Sequence, residues 1–69
     1  MTQKEKVMQY MKDFGSITQA QAFNDLGVYR LAARISDLRK DGILIKSETR
    51  FGTNRYGEKI YFSEYSLCN

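Results

Sequence analysis

The hydrophobic period of this 69-residue chain changes at one point, Asp41-Gly42, and that change limits the folds open to it. Before it, apolar residues recur at helical spacing: Val7, Met8, Met11 and Phe14, then Ala20, Ala22, Phe23 and Leu26, then Leu31, Ile35 and Leu38. After it, Ile43, Ile45, Ser47 and Thr49 alternate with Leu44, Lys46, Glu48 and Arg50, the period of a half-buried strand. A second alternating run covers Lys59 to Leu67. The turn formers Gly52-Thr53-Asn54-Arg55-Tyr56-Gly57 separate the two runs, so they form a hairpin with a basic tip. A hairpin alone is marginal in water and must pack on the helices. The expected order is helix, helix, helix, hairpin: one α+β, mainly helical domain over residues 1–69.

Local signals mark the helix ends. Thr2 with Glu5 and Thr18 with Gln21 have the spacing of capping boxes, and Gly15, Gly27 and Gly42 follow the three apolar stripes. The first helix is expected at about Lys4 to Asp13, with Ser16-Ile17 a short extended link to the second. Only Val28 and Tyr29 separate Gly27 from the third pattern, and two short helices joined by such a turn describe a helix-turn-helix. Phe14, Phe23, Tyr61 and Tyr65 are expected in the core, whereas Phe51, Tyr56 and Phe62 are harder to bury.

Composition removes whole classes of function. Cys68 is the single cysteine, so no disulfide framework exists. Histidine is absent, which excludes His-based zinc sites and catalytic triads. No run of about 18 apolar residues is present to span a membrane. The polar stretch Met1 to Lys12 argues against a secretory signal. With no phosphate-cradling glycine loop either, the chain is expected to bind rather than catalyse, with no metal and no cofactor.

Charge is unevenly spread. From Tyr29 to Lys59 eight bases stand against four acids, a local excess of +4, although the whole chain carries only +3. A basic segment on a nearly neutral body suits a polyanion, since phosphates neutralised by Lys and Arg release counterions.

The stretch from Gly15 to Ala22, and then Leu26 to Gly42 with its Tyr29-Arg30-Leu31-Ala32-Ala33-Arg34-Ile35-Ser36-Asp37-Leu38 core, resembles the small phage and prophage winged helix-turn-helix domains. Asn54 to Lys59 and Tyr65-Ser66-Leu67 are similar to that family's wing and closing strand. The resemblance implies three helices followed by a two-stranded hairpin wing. It also implies duplex DNA as partner, a regulatory role and a bacterial host cytoplasm. The third helix, about 29–40, then becomes the recognition helix. Stepping 100° per residue from Leu31, Ile35 and Leu38 turns Tyr29, Arg30, Ala33, Ser36, Asp37 and Lys40 outward, with Arg34 and Arg39 on the flanks. Arg30 suits guanine O6 and N7, and Ala33 would let the backbone approach. Arg34 stands three residues before Asp37, a spacing that also fits an ion pair. The wing, about 50–59, adds Arg50, Asn54, Arg55 and Lys59 for phosphate or minor-groove contact.

Two rival readings remain open at this level. The acids Asp37, Glu48 and Glu58 and the exposed aromatics also suit a protein-binding winged helix that obstructs host machinery, such as a CRISPR effector or a polymerase. The hairpin aromatics alone would suit single-stranded nucleic acid. A homodimer is compatible with each reading.

Overall fold

Capping chemistry sets where the helices begin. In the computed structural model, which describes residues 1–68, the Thr2 hydroxyl accepts from the Glu5 backbone N–H at 3.2 Å, and the Glu5 carboxylate accepts from the Thr2 N–H at 3.1 Å. This opens α1 (Gln3–Phe14), which Gly15 ends with φ 88° and an N–H donated to the Met11 carbonyl at 2.9 Å. A left-handed residue there suits glycine, which has no Cβ to clash. Thr18 and Gln21 repeat the box at 3.3 and 3.0 Å, opening the single turn α2 (Gln19–Gln21). That turn runs into a π-helical turn over Ala22–Leu26. Next come α3 (Leu31–Lys40), β2 (Ile45–Thr53) and β3 (Lys59–Leu67). Residue 69 of the expected 1–69 domain lies outside the described residues.

The sheet corrects the expectation of a two-stranded hairpin. Ile17, read from sequence as part of a link, and Thr18, read as the cap of the second helix, form a short strand β1, and the sheet has three strands in the order β1-β3-β2. All pairs are antiparallel: Ile17 faces Tyr65 across β1 and β3, and β2 pairs with β3 without a bulge from Ile45↔Leu67 to Thr53↔Lys59. A two-residue strand carries no usable alternation, so only the partner strand reveals it.

The core is small. Val7 and Met11 from α1, Ile17 from β1, Ala22, Val28, then Leu31, Ile35 and Leu38 from α3, and Ile45 from β2 are buried, with Tyr65 and Leu67 packed against them. The three-residue stripe on α3 is the one read from its spacing. Three aromatics expected inside are outside. Phe14 ends α1 and leans on the Tyr10 ring, with centroids 4.7 Å apart. Phe23 falls in the π turn, whose i→i+5 bonding puts more residues in each turn, lowers the rotation per residue and leaves it off the inward face. Tyr61 lies on the distal hairpin, which projects beyond the helices and makes the longest dimension 39 Å against 23 and 20 Å. No helix among the described residues is long and apolar enough to cross a membrane.

One side chain sets the angle between the second helix and α3. The Gln19 amide donates to the Val28 carbonyl at 3.0 Å, and its oxygen accepts from the Leu31 N–H at 2.9 Å. Leu31 opens α3, so this N–H is one of the donors that no intrahelical carbonyl can satisfy. Arg30, at the N-cap position, makes no side-chain cap bond, and a glutamine from the preceding helix caps α3 instead. Two longer contacts tie the frame. Lys4 Nζ meets Asp41 Oδ2 at 2.6 Å, joining the start of α1 to the end of α3, and the Tyr10 hydroxyl donates to Asp25 Oδ2 at 2.6 Å.

Gln19→Ala removes both turn bonds and leaves the Leu31 N–H without an acceptor, so it should cost about 1–2 kcal/mol. Thermal unfolding followed by circular dichroism should show a fall in Tm of roughly 5–15 °C for a domain this size. A loss within about 0.5 kcal/mol, as for an ordinary surface change, would contradict the clamp.

The capping box predicts an acid limb. The two Thr2 hydrogen bonds, backbone first, hold the Glu5 carboxyl below its ordinary value of 4.5. Its contribution is therefore present above pH 4.5 and is lost as pH falls through the lowered folded value. Urea unfolding between pH 6 and pH 3 should show a shallower loss of stability in Glu5→Gln than in the wild type. At the other extreme, the hydrogen bond that Lys4 donates to Asp41 raises the Lys4 ammonium above 10.5, so the contribution of its proton is complete below this pH and is lost only in stronger alkali.

Candidate nucleic-acid interface

The N-terminal end of α3 presents its groups in a short run. Arg30 adopts φ −122° and ψ 69° as the N-cap and is exposed, and its guanidinium meets no carboxylate among the described residues. Tyr29 is 71% exposed and is held edge-on by Phe23, with ring centroids 5.0 Å apart and planes at 73°. Edge-to-face contact suits the ring quadrupoles and limits the directions the tyrosine can take. The third helix thus begins two residues later than the expected 29–40, and Tyr29 and Arg30 stand on the turn that leads into it.

Along α3 the solvent-facing line differs from the expected one at Ala33 and Asp37. Ala32, Ser36, Arg39 and Lys40 are exposed, whereas Ala33, Arg34 and Asp37 are half-buried. Ala33, expected outward, is half-buried, and Ala32 on the flank of the stripe is the exposed alanine. Arg34 makes the ion pair that its spacing allowed, Nη2 to Asp37 Oδ2 at 3.4 Å, while its buried Nε finds no acceptor among the described residues. At the far end, Arg39 Nη2 donates to the Ile45 carbonyl at 3.0 Å and fastens the end of α3 to the base of the hairpin. Lys40 and Arg39 also sit in the last turn, where a cation opposes the negative end of the helix dipole.

The hairpin tip is built by Asn54. Its Oδ1 accepts from the N–H groups of Tyr56 and Glu58 at 2.9 and 3.0 Å, and its Nδ2 donates to Glu58 Oε1 at 3.1 Å. Gly57, with φ 78°, completes the reversal. All the polar atoms of the Asn54 side chain are thus committed to the turn, and the residue positions the tip rather than offering a free amide. Arg55 and Tyr56 stand at the apex, and Tyr56 is 83% exposed. Gly52 and Thr53, read from sequence as part of the turn, are paired in β2.

The two arginines of the hairpin differ. Arg50 is enclosed by acids: Nη2 lies 2.9 Å from Glu48 Oε2 and 3.0 Å from Glu64 Oε1, and Nε donates to Glu64 at 3.1 Å. Glu48 also meets Lys46 at 3.2 Å. Arg55 and Lys59 are exposed and have no acidic partner among the described residues.

Charge on this side of the molecule is therefore sorted. Asp37 is held by Arg34, Asp41 by Lys4 and Glu48 by Lys46 and Arg50, while Glu58 holds the turn asparagine. Arg30, Lys40, Arg55 and Lys59 are left facing water with no carboxylate partner among the described residues, as is Arg39 apart from its bond to the Ile45 carbonyl. The acids that sequence alone set against a polyanionic partner are the ones occupied within the chain. Sequence reading missed Gln19 as the residue that seats α3. The signal was present as an exposed amide twelve residues before the helix it caps, but only the fold brings the two together.

Among curated proteins and among solved structures, no match to this chain is found. The family comparison, by contrast, covers nearly every residue. Three helical segments, a turn clamped by Gln19 and a hairpin closing the sheet are the parts of one known domain, and from residue 2 to residue 69 the chain matches, and belongs to, the winged helix-turn-helix domain family.

Proposed function

We propose that this chain binds duplex DNA. In this reading the N-terminal end of α3 enters the major groove, the hairpin tip meets the adjacent backbone or minor groove, and the protein is a regulator of the phage or prophage type. Membership of the winged helix-turn-helix family points to DNA binding in general. The groove assignment is supported by the sorted charge, and the regulatory role by the resemblance of residues 15–42 to small phage and prophage domains. Five cations without an acidic partner among the described residues, Arg30, Arg39, Lys40, Arg55 and Lys59, lie from the turn before α3 to the hairpin, and the neighbouring Asp37, Asp41 and Glu48 are ion-paired within the chain.

Each residue then has a distinct part. Arg30, with five donors in a planar fork, reads a base edge, with guanine O6 and N7 the best match. Tyr29 and Ser36 hydrogen-bond phosphates or bases beside it. Lys40, Arg55 and Lys59 neutralise phosphates and set register without reading sequence. Ala32, small and exposed, lets the helix backbone come close. Arg34 and Arg50 keep their carboxylate partners and shape the surface. No catalytic step belongs to this reading.

Selection from a random duplex pool followed by fluorescence anisotropy tests it. Log Kobs should fall with log salt at a slope of roughly −3 to −4, set by the three or four phosphate-facing cations. Arg30→Ala should lose about 1–3 kcal/mol on the selected sequence and relax the preference at one base pair. Arg55→Ala should weaken all duplexes alike and reduce the salt slope by about one. Arg50→Gln should change either quantity little. Weak, sequence-blind binding at low salt, unchanged by Arg30→Ala, would overturn the reading.

A further inference from the structure

The outer edge of β2 is uncovered, and its pattern is complementary to itself. In the order β1-β3-β2 this strand is bonded to β3 on one side only. The paired N–H and C=O groups are those of the even-numbered residues: Asn54 N–H donates to the Glu58 carbonyl, and Cys68 N–H to the Leu44 carbonyl, in one unbroken register. Backbone groups alternate in direction along a strand, so Ile45, Ser47, Thr49, Phe51 and Thr53 point theirs away from the sheet. Arg39 takes the outward carbonyl of Ile45, which marks where the open edge begins. From Ser47 to Thr53 no protein group among the described residues meets it.

We propose that this edge is a self-association surface, on which β2 pairs antiparallel with β2 of a second copy about a two-fold axis through Thr49. Charge selects the register. With Thr49 facing Thr49, Glu48 of each copy stands opposite Arg50 of the other, twice per dimer. Shifting the axis to residue 48 sets Glu48 against Glu48, and shifting it to residue 50 sets Arg50 against Arg50. Like charges directly opposite one another are destabilising. An axis at Ser47 also opposes unlike charges, Lys46 to Glu48, but it leaves Phe51 and Thr53 without strand partners. Thr49 is moreover the midpoint of Ile45–Thr53, so its register pairs Ser47 to Phe51 in full and meets the carbonyl that Arg39 occupies only at the outermost pair, Ile45 with Thr53.

Side-chain size fits as well. The ring of Phe51, 69% exposed and in edge contact with Tyr61, comes beside the small Ser47 of the second copy, on the same face as Thr49. Each hairpin tip comes alongside Leu44 of the other copy, itself 72% exposed. An isolated edge this long is otherwise a template for uncontrolled strand addition, and closing it by two-fold pairing leaves no further edge of β2 to propagate. The inference does not depend on DNA binding: it rests on the open edge of β2 and the spacing of Glu48 and Arg50, and the hairpin tip that meets DNA in the proposed function lies at the ends of the contact.

Sedimentation equilibrium in the absence of nucleic acid tests it over micromolar to millimolar protein. The wild type should pass from monomer to dimer. Glu48→Lys and Arg50→Glu should each raise the dimer dissociation constant at least tenfold, because each places like charges opposite one another across the axis. An equimolar mixture of the two variants should dimerise again. In the mixed pair the introduced lysine of one chain faces the introduced glutamate of the other, and the retained Arg50 and Glu48 still face each other. Loss of an intrachain contact cannot produce that recovery. Thr49→Pro, whose lost N–H points off the sheet edge, should remain folded by circular dichroism and be monomeric. It decides the matter if either charge variant fails to fold. A wild type monomeric at millimolar concentration, charge variants that dimerise as it does, or a mixture that stays monomeric would each overturn the proposal.

Discussion

The geometry of the molecule turns on the amide of Gln19. A helix-turn-helix works as a unit only if the angle between its helices is held, and the turn here has just a few residues in which to hold it. Val28 is buried and supplies an apolar anchor, but an anchor alone does not orient the first turn of α3, whose N–H groups have no helical acceptor. Gln19 accepts one of these and donates to the carbonyl of Val28, so a single side chain bridges the second helix, the turn and α3. Everything that α3 displays, Arg30 first, inherits its position from that bridge.

Electrostatic sorting follows from the same frame. Once α3 is seated, Arg34 lies over Asp37 and Asp41 reaches Lys4 of α1. The strand pairing of β2 and β3 brings Glu64 under Arg50, while Glu48 sits between Arg50 and Lys46. These exposed pairs each contribute little to stability, typically under about 1 kcal/mol. Their larger effect is on the field. They remove acids from a surface that a polyanion would approach, and they withdraw Arg34 and Arg50 from the set of free cations. A modest net charge can thus coexist with several cations on α3 and the hairpin that no acid neutralises among the described residues.

How much is legible in the residues varies with the range of the interaction. The two capping boxes, the three glycine stops and the inward stripe of Leu31, Ile35 and Leu38 depend on neighbours three or four positions away, and they are as the spacing reads. The Arg34–Asp37 pair belongs to the same class. Phe14, Phe23 and Tyr61 escape such reading because burial depends on what lies opposite. The core ends before Phe14, a π turn rotates Phe23, and the hairpin carries Tyr61 past the helices. Tyr65, at the base of the same strand, is packed as expected.

The order of the three helical segments and the two long strands, the capping boxes and glycine stops of the helices, and the excess of positive charge between Tyr29 and Lys59 were determined by the sequence itself, because hydrogen-bond closure and side-chain periodicity act over one or two turns. Tertiary structure alone decided that Ile17–Thr18 completes a three-stranded sheet and that Gln19 caps a helix twelve residues away. It also decided which cations keep their charge free. Those outcomes require residues distant along the chain to meet, and their meeting is set by the shape of the packed core and the register of the sheet.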